Sequence, residues 1–105
     1  MLYEVEFSPA ADEDLQRLFD FALARELQSE TGDLENPSRA LQAIADALKL
    51  LASSPFSCRK VGVSPFVREL VIPFGRAGYV ALFEIVSRNK IIIGAVRHQR
   101  EDDYH

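Results

Sequence analysis

Tyr79-Val80-Ala81-Leu82-Phe83-Glu84-Ile85-Val86, then Ser87-Arg88-Asn89, then Lys90-Ile91-Ile92-Ile93-Gly94-Ala95-Val96 is the stretch that decides the fold. Both outer runs are apolar and rich in β-branched and aromatic side chains, which suit a pleated, half-buried surface. The polar triplet between them carries Asn, a turn residue that bonds its own backbone and tolerates left-handed geometry. Together they form a β-hairpin. One run earlier, Phe66 to Ile72 gives another strand, expected to stop at Pro73, and Gly75-Arg76-Ala77-Gly78 turns the chain towards Tyr79. Strands this close, joined by short Gly- or Asn-bearing links, make an antiparallel meander.

Upstream, Leu2-Tyr3-Glu4-Val5-Glu6-Phe7 alternates polar and apolar residues and predicts a short strand covered on one side. Ser8-Pro9 predicts a helix start, the serine oxygen accepting a free backbone N–H and the proline supplying helical φ where its missing N–H costs nothing. Asp12, Glu13 and Asp14 complement the helix dipole in the first turns. Ala11, Leu15, Leu18 and Ala22, widened by Phe19, mark the buried stripe, and the helix is expected to end near Leu27 or Ser29. Asn36-Pro37 repeats the cap-plus-proline signal after a connection over 30–35. Leu41, Ile44, Leu48 and Leu51, flanked by Ala40, Ala43 and Ala47, form the second stripe, and Ser53-Ser54-Pro55 closes it. Small residues let helices approach, so an antiparallel αα-hairpin is expected. The fold class is therefore α+β, in the order β-α-α-β-β-β, an antiparallel sheet with the helical hairpin packed on one face. A chain of 105 residues forms a single domain, 1–105.

A single cysteine, Cys58, excludes an internal disulfide. No apolar run approaches the roughly 18 residues of a membrane span, and no charged-then-apolar leader opens the chain. No membrane partner and a cytoplasmic location are expected. The net charge of −4 is unevenly spread. Residues 1–52 hold 4 Lys/Arg against 11 Asp/Glu, whereas residues 53–100 hold 8 against 2. Either the protein has an acidic and a basic face, the latter suited to a polyanion or acidic partner, or helices simply tolerate acids better than strands do.

No CxxC, no histidine pair at metal spacing, no phosphate loop and no nucleophile elbow occurs, so neither a metal nor a cofactor is expected. Cys58 is either a plain small residue or a nucleophile activated by Arg59 and Lys60. What remains is the basic set Arg68, Arg76, Arg88, Arg97, His98 and Arg100. Strict alternation puts Ile91, Ile93, Ala95 and Arg97 on one face, and Ile92, Gly94, Val96 and His98 on the other. Only one of Arg97 and His98 then sits on the helix-free side. Cleaving a phosphodiester needs a base, an acid and cations for the phosphate. Glu84, His98 and Arg68 can fill those roles. Alternatively, Glu84 pairs with an arginine across the sheet and His98 caps the strand end.

Phe7-Ser8-Pro9-Ala10-Ala11-Asp12, Asn36-Pro37 and Leu50-Leu51-Ala52-Ser53-Ser54-Pro55 resemble the RelE/ParE toxin superfamily. Val67-Arg68-Glu69-Leu70, Pro73-Phe74-Gly75-Arg76-Ala77-Gly78-Tyr79 and Val96-Arg97-His98-Gln99-Arg100-Glu101 resemble its ParE, or plasmid-stabilisation, branch. The likeness runs from Phe7 to Tyr104. It implies the β-α-α-β-β-β fold and a toxin of a type II toxin–antitoxin pair, neutralised by a cognate, ParD-like antitoxin. In the ParE branch the implied target is DNA gyrase; in the RelE branch the toxin is a ribosome-dependent mRNA endoribonuclease. A ribosomal nuclease meets a polyanion and is expected to be strongly basic. With a net charge of −4 and pI near 5.1, this chain is not. The expectation is thus a gyrase inhibitor that binds rather than catalyses, with the ribonuclease as the alternative. Arg76, Arg97, His98 and Arg100 are the expected target contacts, with Tyr104 a candidate aromatic for the alternative. Leu15, Leu18, Phe19, Leu41 and Ile44 on the helical hairpin, with a sheet edge, are the expected antitoxin contacts.

Overall fold

The computed structural model describes residues 2–99. Its elements run β1 (Glu4–Phe7), α1 (Pro9–Gln28), α2 (Asn36–Lys49), β2 (Arg59–Lys60), β3 (Val67–Phe74), β4 (Ala77–Ser87) and β5 (Lys90–His98). Two 3-10 turns, Leu50–Ala52 and Pro55–Ser57, follow α2. The five strands form one sheet in the order β1-β5-β4-β3-β2. The meander is antiparallel as expected, but β1 lies parallel to β5, with Glu4 opposite Lys90 and Phe7 opposite Ile93. The sheet is therefore mixed rather than antiparallel. A parallel pair needs only a long connection, and most of the chain separates these two strands. β2, two residues long, is too short to leave a periodic signal.

α1 begins as expected, with Ser8 Oγ accepting the Ala11 N–H at 3.1 Å and Pro9 in the first turn. α2 does not. Asn36 is its first helical residue rather than its cap, and its Nδ2 donates back to Glu26 Oε1 at 3.3 Å, tying the two helices together. The preceding turn is organised by Asp33, which accepts the Glu35 N–H at 2.9 Å and pairs with Arg39. Those two contacts hold its carboxyl below the usual 3.8.

The core lies between the hairpin and one face of the sheet. Ala11 and Leu18 from α1, and Ala40, Ile44 and Leu48 from α2, pack with Ile72, Tyr79, Ala81, Phe83, Ile85, Ile91, Ile93 and Val96. Leu18 and Ile44, two expected antitoxin contacts, are 6% and 2% exposed and so belong to the chain's own core. The same stripe spacing marks a core face and a docking face, and here the sheet covers it. Leu15, Phe19 and Leu41 stay half-buried.

Two departures from the strand pattern expected of the sequence aim the side chains at one end of the sheet. Leu82 faces Ala95 but Phe83 faces Ile93, so Gly94 is an extra, unpaired residue: a β-bulge. The bulge reverses the alternation expected from sequence. Ile91, Ile93 and Val96 are all fully buried, His98 follows Val96 towards the helices, and Arg97 points away from them. α1 satisfies the backbone groups around the bulge. The Ser8 N–H donates to the Ile93 carbonyl at 2.9 Å, Ser8 Oγ to that of Gly94 at 3.2 Å, and the Val96 N–H donates to Asp14 Oδ2 at 2.9 Å.

The second departure is that β3 continues through Pro73 to Phe74 instead of stopping. Phe74 and Ala77 close a two-residue hairpin around Gly75-Arg76, so Pro73 opposite Gly78 falls in the non-hydrogen-bonded pair and its missing N–H breaks nothing. Gly75, at φ +62°, supplies the left-handed first position of that turn. A Cβ on Gly78 would lie 2.1 Å from the Ile72 carbonyl oxygen.

Candidate functional site

Because Tyr79 pairs with His98 and Val80 with Arg97, the Gly75-Arg76 tip and the end of β5 occupy the same end of the sheet. On the helix side of that end lies a cleft of about 470 Å³. Arg25, Glu26 and Phe21 come from the last turns of α1, Asn36 from the start of α2, Arg76 from the hairpin tip, and Tyr79 and His98 from the strands. A cavity of this size falls in the range that takes small ligands.

The floor is aromatic. His98 meets the Tyr79 ring edge-on at 5.5 Å, and Phe74 lies 6.2 Å from it on the other side. Burial pushes the Tyr79 phenol above its usual 10, opposed by the nearby Arg25 charge, so the phenol stays a hydrogen-bond donor at neutral pH. Arg25 and Arg76 are exposed and make no ion pair among the described residues. Glu26, the one carboxylate lining the cleft among the described residues, is engaged by Asn36 Nδ2 and, through its other oxygen, by the Asp33 N–H at 3.3 Å.

The four expected target contacts do not form one patch. Arg76 and His98 line the cleft, whereas Arg97 projects from the opposite face beside Val80, exposed. Arg100 and Tyr104 lie outside the described residues. The ribonuclease set is not assembled. Arg68 faces the helix side opposite Phe83, and its guanidinium donates to the carbonyls of Pro65, Phe56 and Cys58 at 2.8, 2.9 and 2.7 Å while lying 5.0 Å over the Phe56 ring. It clamps the loop before β3. Glu84, between Val67 and Ile92, faces the other side of the sheet from both Arg68 and His98. The cross-sheet ion pair expected of Glu84 is made instead by Glu69, with Arg59. His98 is the last residue of β5 and packs edge-on against Tyr79. Cys58 is half-buried, and burial raises its thiol above the usual 9.0, with Arg68 pulling the other way. It is therefore not an activated nucleophile.

Two residues of the cleft were not among the expected site residues. Arg25 reads simply as a cation complementing the end of a helix dipole. Tyr79 reads as the first residue of a strand. Only the hairpin-on-sheet packing brings them together. No group of three His, Cys, Asp or Glu able to hold a metal occurs among the described residues, and none of their helices is long and apolar enough to cross a membrane.

A family profile described as the ParE toxin of type II toxin–antitoxin systems, parDE, matches residues 5–103. Among solved structures, the chain is similar to one from the chromosomal ParDE toxin–antitoxin system of P. aeruginosa, with a TM-score of 0.70 and 19% identity, covering 92% of this chain and 96% of that one. It is also similar to a chain of the RelBE2 toxin–antitoxin complex of Mycobacterium tuberculosis, with a TM-score of 0.62 and 20% identity, covering 94% and 100%. At these identities the likeness speaks for the fold. A search of curated protein sequences finds no match.

Proposed function

Because the chain belongs to the ParE toxin family of type II toxin–antitoxin systems, we propose that it arrests growth by binding DNA gyrase in the cytoplasm and that a cognate antitoxin neutralises it. It is a type II toxin of the ParE/RelE superfamily. The choice of gyrase over ribosomal mRNA is carried by one observation. Of the three residues able to cleave a phosphodiester, Arg68 is spent on three carbonyls and Glu84 faces away from the other two. A nuclease needs its base, acid and phosphate cations converging on one reacting group. The overall charge of −4 favours the same choice.

Target contact falls to the end of the sheet, where the exposed cations Arg97 on one face and Arg76 on the other flank the half-buried His98, continued in sequence by Arg100. An antitoxin partner is supported by the two similar structures, both from toxin–antitoxin systems. The half-buried Leu15, Phe19 and Leu41 of the helical hairpin are its proposed contacts, with the outer edge of the sheet open to strand addition.

Replacing Arg97 and Arg100 together with Ala should relieve growth arrest while leaving antitoxin capture intact, since neither residue belongs to the hairpin. Undiminished killing by that folded double variant would remove the sheet end as the target-binding surface.

A further inference from the structure

We propose that the cleft bounded by Arg25, Arg76, Tyr79 and His98 binds a phosphate ester carried on a nucleoside. Two arginines from different elements converge there without an ion pair among the described residues, and an unpaired guanidinium fork matches phosphate oxygens bidentately. Beside them the wall is aromatic. Phe21 lines the cleft yet is 64% exposed, an apolar ring left in water, with Phe74 and Tyr79 beneath. Cations next to stacking surfaces are the chemistry that holds a nucleotide, whereas a bare carboxylate or phosphate would use only the cations. Glu26, the only acid lining the cleft among the described residues, is turned to the inter-helix bonds.

Other cavities lack this combination. The one beneath β2, about 330 Å³, has its arginine, Arg59, held by Glu69. The one beside Tyr3, Phe56 and Phe66, about 550 Å³, is lined by one arginine, Arg88, and also by the carboxylate of Glu84. Nucleotide binding would hold whichever macromolecule the toxin stops. The phosphate ester could belong to a free nucleotide or to a nucleic-acid end, and separate probes distinguish them.

The test is a titration of the isotope-labelled full chain, followed by amide NMR, with adenosine monophosphate and with a 5′-phosphorylated oligonucleotide. Adenosine and inorganic phosphate serve as partial probes. Saturable shifts at Arg76, Tyr79 and His98 are expected, weaker with either partial probe. An Arg25→Gln, Arg76→Gln double variant, both changes on exposed side chains, should bind at least about tenfold more weakly with an unchanged melting temperature. Tighter binding of the oligonucleotide would identify a nucleic-acid end as the source, and tighter binding of the monophosphate a free nucleotide. No saturable shift with any probe at about 10 mM, equal affinity for inorganic phosphate, or undiminished binding by the double variant would overturn the proposal.

Discussion

Asp14 bonds across 82 residues of sequence to the Val96 N–H, one of the backbone groups freed around the β5 bulge, and that bond explains where His98 and Arg97 point. Its side chain is 23% exposed, so losing the acceptor leaves a shielded donor unpaired. Asp14→Ala should therefore cost about 2 kcal/mol in urea unfolding, while Asp14→Asn, which keeps an oxygen there, should lose less. Equal stability of the Ala variant and the parent would show that the bond contributes nothing. Cys58 gives a second residue-scale expectation. With burial holding its thiol protonated, alkylation at pH 8 should be slower than for a free thiol, and the midpoint of its pH–rate curve should lie above 9.0. A midpoint below that value would restore the activated-nucleophile reading. Ser8 as a cap was legible in the sequence because a cap acts on its own next turn. Asp14 read only as a dipole complement, because its partner is distant in sequence. Asn36 misled for the converse reason: a residue type suited to capping was recruited to bind Glu26.

Both helices, β1 and the three meander strands occur where periodicity places them, whereas the two-residue β2 and the 3-10 turns left no signal. Ends and phases were less legible. β3 passes through Pro73 because hairpin geometry makes that N–H dispensable, which a rule that proline stops strands does not anticipate. The phase of β5 fails at Gly94, since alternation counts residues and cannot see that one of them is unpaired. Deleting Gly94 isolates that effect. The shortened strand would pair without a bulge and keep every partner, Val96 still facing the core and Arg97 still outward. The variant is therefore expected to retain cooperative thermal unfolding and to lose only the Ser8 Oγ bond to Gly94. Gly94→Ala should melt close to the parent, because a Cβ there meets only the Leu82 carbonyl oxygen at 3.8 Å. A deletion variant that loses cooperative unfolding or exposes Val96 would refute the phase argument. The parallel pairing of β1 stayed hidden because pairing direction is a property of chain return, not of a four-residue sequence.

At the scale of the whole molecule, much of the uneven charge is neutralised locally. Arg39 is held by Asp33 and Glu35, Lys49 by Asp46, Arg59 by Glu69, and Lys90 by Glu6. What makes no ion pair among the described residues at the end of the sheet is Arg25, Arg76 and Arg97. The fold thus converts a weak sequence asymmetry into a localised cationic rim on an acidic protein, suited to a specific protein surface better than to a length of RNA. Sequence could name most of those cations but not their sides, which depend on the bulge and on the hairpin covering one face. The central claim is that this rim stops gyrase without cutting RNA. Its most direct test adds the antitoxin-free chain to purified gyrase and follows supercoiling and cleavage-complex formation. Loss of supercoiling with accumulating DNA breaks, both suppressed by Arg97→Ala with Arg100→Ala, is the predicted result. Unimpaired gyrase with a preparation that still arrests growth, together with transcript cleavage in a translating extract, would contradict it.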